Sequence, residues 1–218
     1  MDVIAKLIEH AKKDLQRIVL PEGTEERTIT AADRAVADRL ADIVLLGDEE
    51  EIMDQAHTLG LTHITPDVII NPRKAGDLED FAQALAELRK RKGLTLEEAR
   101  EKVKDPMYYG CMMIKMGKAD GQLAGARNST GNVLRPALQI IKTAPGITCV
   151  SGAMLLLTKT PQYGEDGVLV MGDVAVTPVP TASQLAEIAV CTARTAKAVA
   201  GFDEPRVAML SFSSYGSA

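Results

Sequence analysis

Two hydroxyl groups and one cation lie close together in the middle of the chain. Ser129 and Thr130 occupy a loop bounded by glycines, and the apolar spacing that follows predicts a helix over residues 133–142. Hydroxyls and free backbone N–H groups beside a helix start suit a phosphate. Arg135 falls in the first turn of that predicted helix, where the dipole disfavours a cation, so we expect it to face an anionic ligand. A surface or interdomain salt bridge is the alternative for Arg135.

A basic run closes another predicted helix. Apolar spacing predicts a helix over residues 78–92, and its last four residues, from Arg89 to Lys92, are all cationic. Gly93 follows where a C-cap is expected, and cations are favourable at this end of the helix dipole. A solvated helix end explains the run, and a phosphate contact is the alternative.

The glycines of the central region do not form a nucleotide-binding motif. Residues 110–119 have too many positions between glycines for a Walker A loop, and neither Ser nor Thr follows the lysine. Gly117, Gly121 and Gly125 are spaced by four, which differs from the dinucleotide fingerprint. The sequence therefore gives no support to hydride chemistry.

The sequence also contains no local pattern that indicates acid–base catalysis, a metal site or a disulfide framework. The carboxylate pairs Glu22/Glu25 and Glu97/Glu98 are explained more simply by helix capping than by catalysis. The spacing of the remaining candidate ligands predicts neither a metal site nor a disulfide framework: His10, His57, His63, Cys111, Cys149 and Cys191.

The elements that must position these residues alternate between helix and strand. Helical spacing alternates with short apolar runs typical of buried strands: helices at residues 3–15, 25–40 and 49–59, strands at 17–21, 43–47 and 68–70. Strands that are apolar on both faces predict an α/β fold with mainly parallel sheets covered by helices on each side. Thr95 and Glu98 predict a capping box for a later helix.

The composition changes near Pro145 and Gly146. We therefore predict an α/β domain over residues 1–145 and a second, incomplete domain over 146–218. A helix is predicted over 184–199 and a strand over 206–212. Because a core strand normally leads into another helix, we expect the chain to be truncated.

The overall composition of the chain argues against nucleic-acid and membrane partners. The net charge is −5 and aromatic residues make up 3% of the 218 residues, so we expect no nucleic-acid partner. No apolar run approaches the length of about 20 residues that spans a bilayer, and the N-terminus does not resemble a signal peptide. We expect a cytoplasmic protein without a membrane partner.

Residues 105–146 closely resemble the central signature of the phosphate acetyltransferase family. The resemblance continues at residues 19–23, 163–167, 171–178, 182–186 and 204–211, so that it covers essentially the whole chain. It implies reversible acetyl transfer between acetyl-CoA and inorganic phosphate, giving acetyl phosphate and CoA. It also implies a two-domain α/β/α fold like isocitrate and isopropylmalate dehydrogenases, usually as a homodimer.

The resemblance assigns ligands to the candidate residues. Ser129, Thr130 and Arg135 would bind phosphate, with Arg135 or Arg89 contacting the CoA 3′-phosphate, and CoA would enter as a substrate rather than a cofactor. The catalytic residue is unknown, because in the family the proposed base lies beyond residue 218. We therefore expect little or no catalysis by this chain alone.

Two departures from the family pattern affect the candidate site. The cation Arg127 either reinforces anion binding or is merely exposed. The segment from Ser213 to Ser217 has Tyr215 where the family has a lysine. The alternatives are a catalytically silent CoA-binding or dimerisation fragment, and a phosphate butyryltransferase.

Overall fold

A computed structural model describes residues 3–210, which divide into two compact units. The first unit is residues 8–142, and the second is residues 3–7 together with 143–210. Helix α1, Val3–Lys13, runs across the first of these boundaries.

Up to residue 70 the first unit alternates helices and strands as the apolar spacing predicts, and three successive helices then precede its fourth strand. After α1 its elements are β1 (Arg17–Leu20), α2 (Glu26–Ala37), β2 (Asp42–Leu46), α3 (Glu49–Thr58), β3 (Ile69–Ile70), α4 (Leu78–Arg89), α5 (Leu96–Val103), α6 (Pro106–Lys115), β4 (Gly121–Gln122) and α7 (Thr130–Ile140). Short 3₁₀ turns at Pro66–Val68 and Lys90–Lys92 precede β3 and follow α4.

The strands form one parallel sheet in the order β3-β2-β1-β4, which confirms the predicted parallel α/β architecture. Successive residues of β2 point to opposite faces. Val44 and Leu46 belong to one buried cluster, whereas Ile43 and Leu45 belong to another. The sheet is therefore buried on both faces, as its continuous apolar strands require.

Capping residues set the helix starts. The capping box of Thr95 and Glu98 is present at α5, as predicted. Gly93 takes a φ of 77° after the basic run, a left-handed conformation that glycine adopts readily. Glu25 caps α2 by accepting the N–H of Thr28, and Asp48 caps α3.

The second unit contains β5 (Ala153–Leu157), β6 (Val168–Gly172) and α8 (Ala182–Thr195), which continues into a π-helical turn at Ala196–Ala200. Unlike the sheet of the first unit, β5 and β6 pair antiparallel, with Leu155 opposite Val170. Val3, Val168 and Ala200 form the small core of this unit.

The predicted strand at residues 206–212 is wrong over its described part. Residues 206–210 do not form a strand. Within residues 3–210 no neighbouring strand supplies hydrogen-bond partners for them, and Leu210 is 79% exposed rather than buried in a core. The remaining residues of that prediction, and the segment from Ser213 to Ser217, lie outside the described residues. Within residues 3–210 no helix is long and apolar enough to cross a membrane.

Candidate anion-binding site

The candidate residues lie at the carboxyl edge of the parallel sheet. Strand β1 pairs with β2 on one side and with β4 on the other, so the chain order reverses beside β1. The loops that follow β1 and β4 therefore begin side by side. In open α/β sheets this reversal point is where ligands bind. The loop after β4 leads directly into α7.

Glu22, which follows β1, holds these two loops together. One carboxylate oxygen accepts the backbone N–H groups of Gly125 and Ala126, both at 2.8 Å. The other accepts the N–H groups of Arg127 and Asn128 at 2.8 Å, and the Asn128 side-chain amide at 2.9 Å. Four successive N–H groups thus converge on one carboxylate.

The charge of Glu22 is stabilised by these donors. Its side chain is buried, with only 8% of the residue exposed. Burial raises the pKa of Glu22, but the hydrogen bonds from Arg127, Asn128 and their neighbours outweigh it and lower the pKa to about 2. Glu22 is therefore ionised at neutral pH.

Two arginines add further links between the loops. Arg27 donates to the carbonyl of Ala126 at 2.7 Å and to Glu25 at 2.7 Å. Arg127 donates to the carbonyl of Thr24 at 3.1 Å. Although Arg127 is exposed, its guanidinium links the two loops, a role that the sequence did not predict.

Ser129 and Thr130 form the start of α7. Ser129 is its N-cap, and its hydroxyl accepts the N–H of Asn132 at 3.4 Å. Thr130 is the first helical residue, and both residues are exposed. The helix begins three residues earlier than predicted, so Thr130 lies in the helix rather than in the loop. Both hydroxyls remain beside a helix N-terminus, which suits an anion.

Arg135 is exposed in the second turn of α7, so its predicted place in the first turn is wrong. It lies six residues after Ser129, roughly 9 Å along the helix axis. The dipole argument therefore no longer applies to Arg135, because this effect falls off within the first turn.

The charges of Arg135 and Arg89 instead act on one residue, Tyr108 on α6. Burial raises the pKa of Tyr108, and the positive charges of Arg135 and Arg89 oppose that rise. Lys102 of α5 lies 5.3 Å from the centre of the Tyr108 ring. The Tyr108 hydroxyl donates to Gln139 at 3.1 Å. Arg89 and Arg135, which are 46 positions apart in the sequence, thus both influence Tyr108 by their charge, and Lys102 lies against the same ring.

Two carboxylates and one thiol of this unit, Glu25, Asp48 and Cys111, do not have the properties of a general base or nucleophile. Hydrogen bonding to Arg27 lowers the pKa of Glu25, and Lys74 lowers that of Asp48. Burial raises the pKa of the Cys111 thiol to about 11. Within residues 3–210 no three His, Cys, Asp or Glu side chains form a metal-binding group.

The sequence did not predict the positions of Glu22, Tyr108 and Lys102 at these sites. Glu22 was interpreted as a helix cap, but it accepts from a loop more than 100 residues away. Its position directly after a buried strand was the available signal. Nothing in the local pattern around Tyr108 or Lys102 indicated that they would lie beside the arginines.

Comparison with known proteins identifies the relatives of this chain. The family described as "Phosphate acetyl/butaryl transferase" matches residues 2–218. The phosphate acetyltransferase of Thermoanaerobacterium thermosaccharolyticum is 48% identical over 218 residues, which are 100% of this chain and 65% of the relative. That of Clostridium acetobutylicum is 46% identical with the same coverage. The chain thus spans just under two thirds of the length of these relatives.

Solved structures agree with the sequence relatives. A phosphotransacetylase from Streptococcus pyogenes superposes with a TM-score of 0.87 at 41% identity, covering 99% of this chain and 63% of that protein. The EutD phosphotransacetylase from Staphylococcus aureus gives 0.85 at 40% identity, covering 100% of this chain and 63% of that protein.

Proposed function

Because the chain belongs to the phosphate acetyl/butaryl transferase family, we propose that it binds the substrates of a phosphate acetyltransferase. That reaction transfers an acetyl group reversibly between acetyl-CoA and inorganic phosphate, giving acetyl phosphate and CoA. CoA enters as a substrate, so no resident cofactor is part of the proposal. Assembly as a homodimer and a cytoplasmic location belong to the same proposal.

Two sites on the first unit support the proposal. One is rich in hydrogen-bond donors and the other is cationic. Ser129 and Thr130 present hydroxyls at the start of α7, where an inorganic phosphate would meet the N–H groups of the first two helical residues. We group as one cationic cluster Arg89 and Arg135, whose charges oppose the rise in the pKa of Tyr108, and Lys102, which lies 5.3 Å from the centre of that ring. We assign this cluster to the CoA 3′-phosphate, since guanidinium groups bind phosphate by paired hydrogen bonds.

We further propose that residues 1–218 bind these ligands without turning them over efficiently. Activation of the CoA thiol needs a general base whose pKa lies near the working pH. Among the described carboxylates at this edge of the sheet, the pKa values of Glu22, Glu25 and Asp48 are all lowered. These carboxylates are held as acceptors of structural hydrogen bonds and are poor bases.

A turnover assay tests this function. The 218-residue chain and the full-length Clostridium acetobutylicum relative are assayed in parallel for CoA-dependent use of acetyl phosphate, with acetyl-CoA binding measured by calorimetry. We expect saturable binding by the chain, and turnover at least about 100-fold slower than that of the relative, the usual contribution of a general base.

Three outcomes are distinguishable. Turnover by the chain at the relative's rate would refute the binding-only assignment. Failure to bind acetyl-CoA would refute the proposed function. Tighter binding of butyryl-CoA than acetyl-CoA would favour the second activity in the family's description, phosphate butyryltransferase.

A further inference from the structure

The loop before Ser129 contains a backbone anion site that is already filled. Successive backbone N–H groups that point to one place form a concave nest that binds anions. Residues 125–128 form such a nest, and the carboxylate in it belongs to Glu22 of the same chain.

We propose that Glu22 is a positioning residue whose carboxylate acts as a built-in anion in this nest, holding Ser129 in place and confining substrate phosphate to the start of α7. This inference rests on the proposed function for its second part, the confinement of phosphate. Its first part, the fixing of the loop, stands on the geometry of Glu22 alone.

The carboxylate is well placed to fix the loop. Glu22 comes two residues after Leu20, and both Val19 and Leu20 of β1 are buried in the core. The nest ends at Asn128, immediately before the N-cap Ser129. The position of the Ser129 hydroxyl is thus tied through one carboxylate to a strand whose last two residues are buried in the core.

The same carboxylate determines where an anion can bind. It uses the four N–H groups of the nest, and its own negative charge repels a second anion placed there. The donors that remain for phosphate are the hydroxyls of Ser129 and Thr130 and the N–H groups of the first two residues of α7. Phosphate is thereby excluded from the nest and directed to the helix.

Chemical rescue tests the inference. Amide hydrogen exchange of residues 125–128 is measured in the 218-residue chain and in Glu22→Ala. Removing the carboxylate leaves the N–H groups without their acceptor, so their exchange should accelerate about tenfold or more. Sodium formate supplies a carboxylate of the right size and should restore slow exchange in a saturable manner, whereas sodium chloride at equal ionic strength should not.

Phosphate binding gives the second readout. The unmodified chain should bind inorganic phosphate at one site, and Glu22→Ala should bind a second phosphate in the vacated nest. If the unmodified chain binds no phosphate, the proposed function is refuted, while the exchange data still decide whether Glu22 fixes the loop.

Two further variants complete the design. Glu22→Gln keeps the size of the side chain and should also accelerate exchange at residues 125–128, which preserves the test if Glu22→Ala does not fold. Asp48→Asn removes a capping carboxylate after the neighbouring strand β2 and should leave these amides unchanged. Unchanged exchange in both Glu22 variants, or a folded Glu22→Ala that formate does not rescue, would overturn the inference.

Discussion

At the scale of single residues, carboxylates near the carboxyl ends of β1 and β2 accept hydrogen bonds from backbone N–H groups. Glu22 accepts from a loop, Glu25 caps α2 and Asp48 caps α3. All three have lowered pKa values because they accept N–H groups or face cations. Their contribution to folding therefore depends on their being ionised.

Glu22 makes a testable contribution to stability. Its pKa falls from an ordinary 4.5 to about 2 in the folded chain, so its stabilisation is complete above pH 4.5 and is lost as the pH falls toward 2. We expect Glu22→Gln to lower the free energy of unfolding by about 1–3 kcal/mol at pH 7, the lower end allowing for solvent screening.

Urea unfolding at pH 7 and pH 3 measures this effect. The difference between the unmodified chain and Glu22→Gln should be smaller at pH 3 than at pH 7. Glu50→Gln removes an exposed charge from α3 and should change stability by less than about 0.5 kcal/mol at either pH. A Glu22→Gln deficit that grows as the pH falls would contradict the account.

The candidate residues of α7 were predictable from the sequence, whereas Glu22 was not. Ser129, Thr130 and Arg135 were selected because their residue types suit an anion, and the structure places them along α7. Glu22 could not be assigned to the same site, because its partners follow it by 103 to 106 positions. Only the pairing of β1 with β4 brings the two loops together.

At the scale of elements, the start of α7 combines two roles. Ser129 caps the helix and also presents the hydroxyl that we assign to phosphate. The predicted start at residue 133 was wrong because the apolar spacing begins only there, whereas the cap at Ser129 sets the actual first turn. Pro136 lies inside the helix without ending it.

The two roles of Ser129 can be separated by Ser129→Asp. Aspartate is as good an N-cap as serine, so the free energy of unfolding should stay within about 0.5 kcal/mol of the unmodified chain. The added negative charge should weaken phosphate binding at least about tenfold, because like charges repel across a short distance.

Thr181→Asp is the matched control, since Thr181 caps α8 in the same way. It should preserve both stability and phosphate affinity. Calorimetry with inorganic phosphate and urea unfolding measure the two quantities. Unchanged phosphate affinity in Ser129→Asp would remove Ser129 from the site.

At the scale of the whole molecule, the parallel sheet was the most predictable feature. Residues 43–46, for example, are apolar at every position. Such a run indicates a strand that is buried on both faces, because a strand with one exposed face would alternate apolar and polar residues. The second unit was less predictable. Its strands β5 and β6 pair antiparallel, whereas mainly parallel sheets were predicted, and residues 206–210 do not form the predicted strand. The domain boundary near residue 145 and the likeness to isocitrate dehydrogenase remain predictions.

We propose that this chain recognises CoA through three cations, Arg89, Lys102 and Arg135, which act by charge on Tyr108 or lie against its ring. The most direct test compares the affinities of CoA and 3′-dephospho-CoA for the 218-residue chain by calorimetry. If Arg89 and Arg135 bind the 3′-phosphate, CoA should bind about 10- to 100-fold more tightly, the range expected for charged hydrogen bonds.

Arg135→Ala should reduce that preference about tenfold or more, whereas Arg34→Ala, which removes an exposed arginine from α2, should retain it. Equal affinities of the unmodified chain for CoA and 3′-dephospho-CoA would contradict the account.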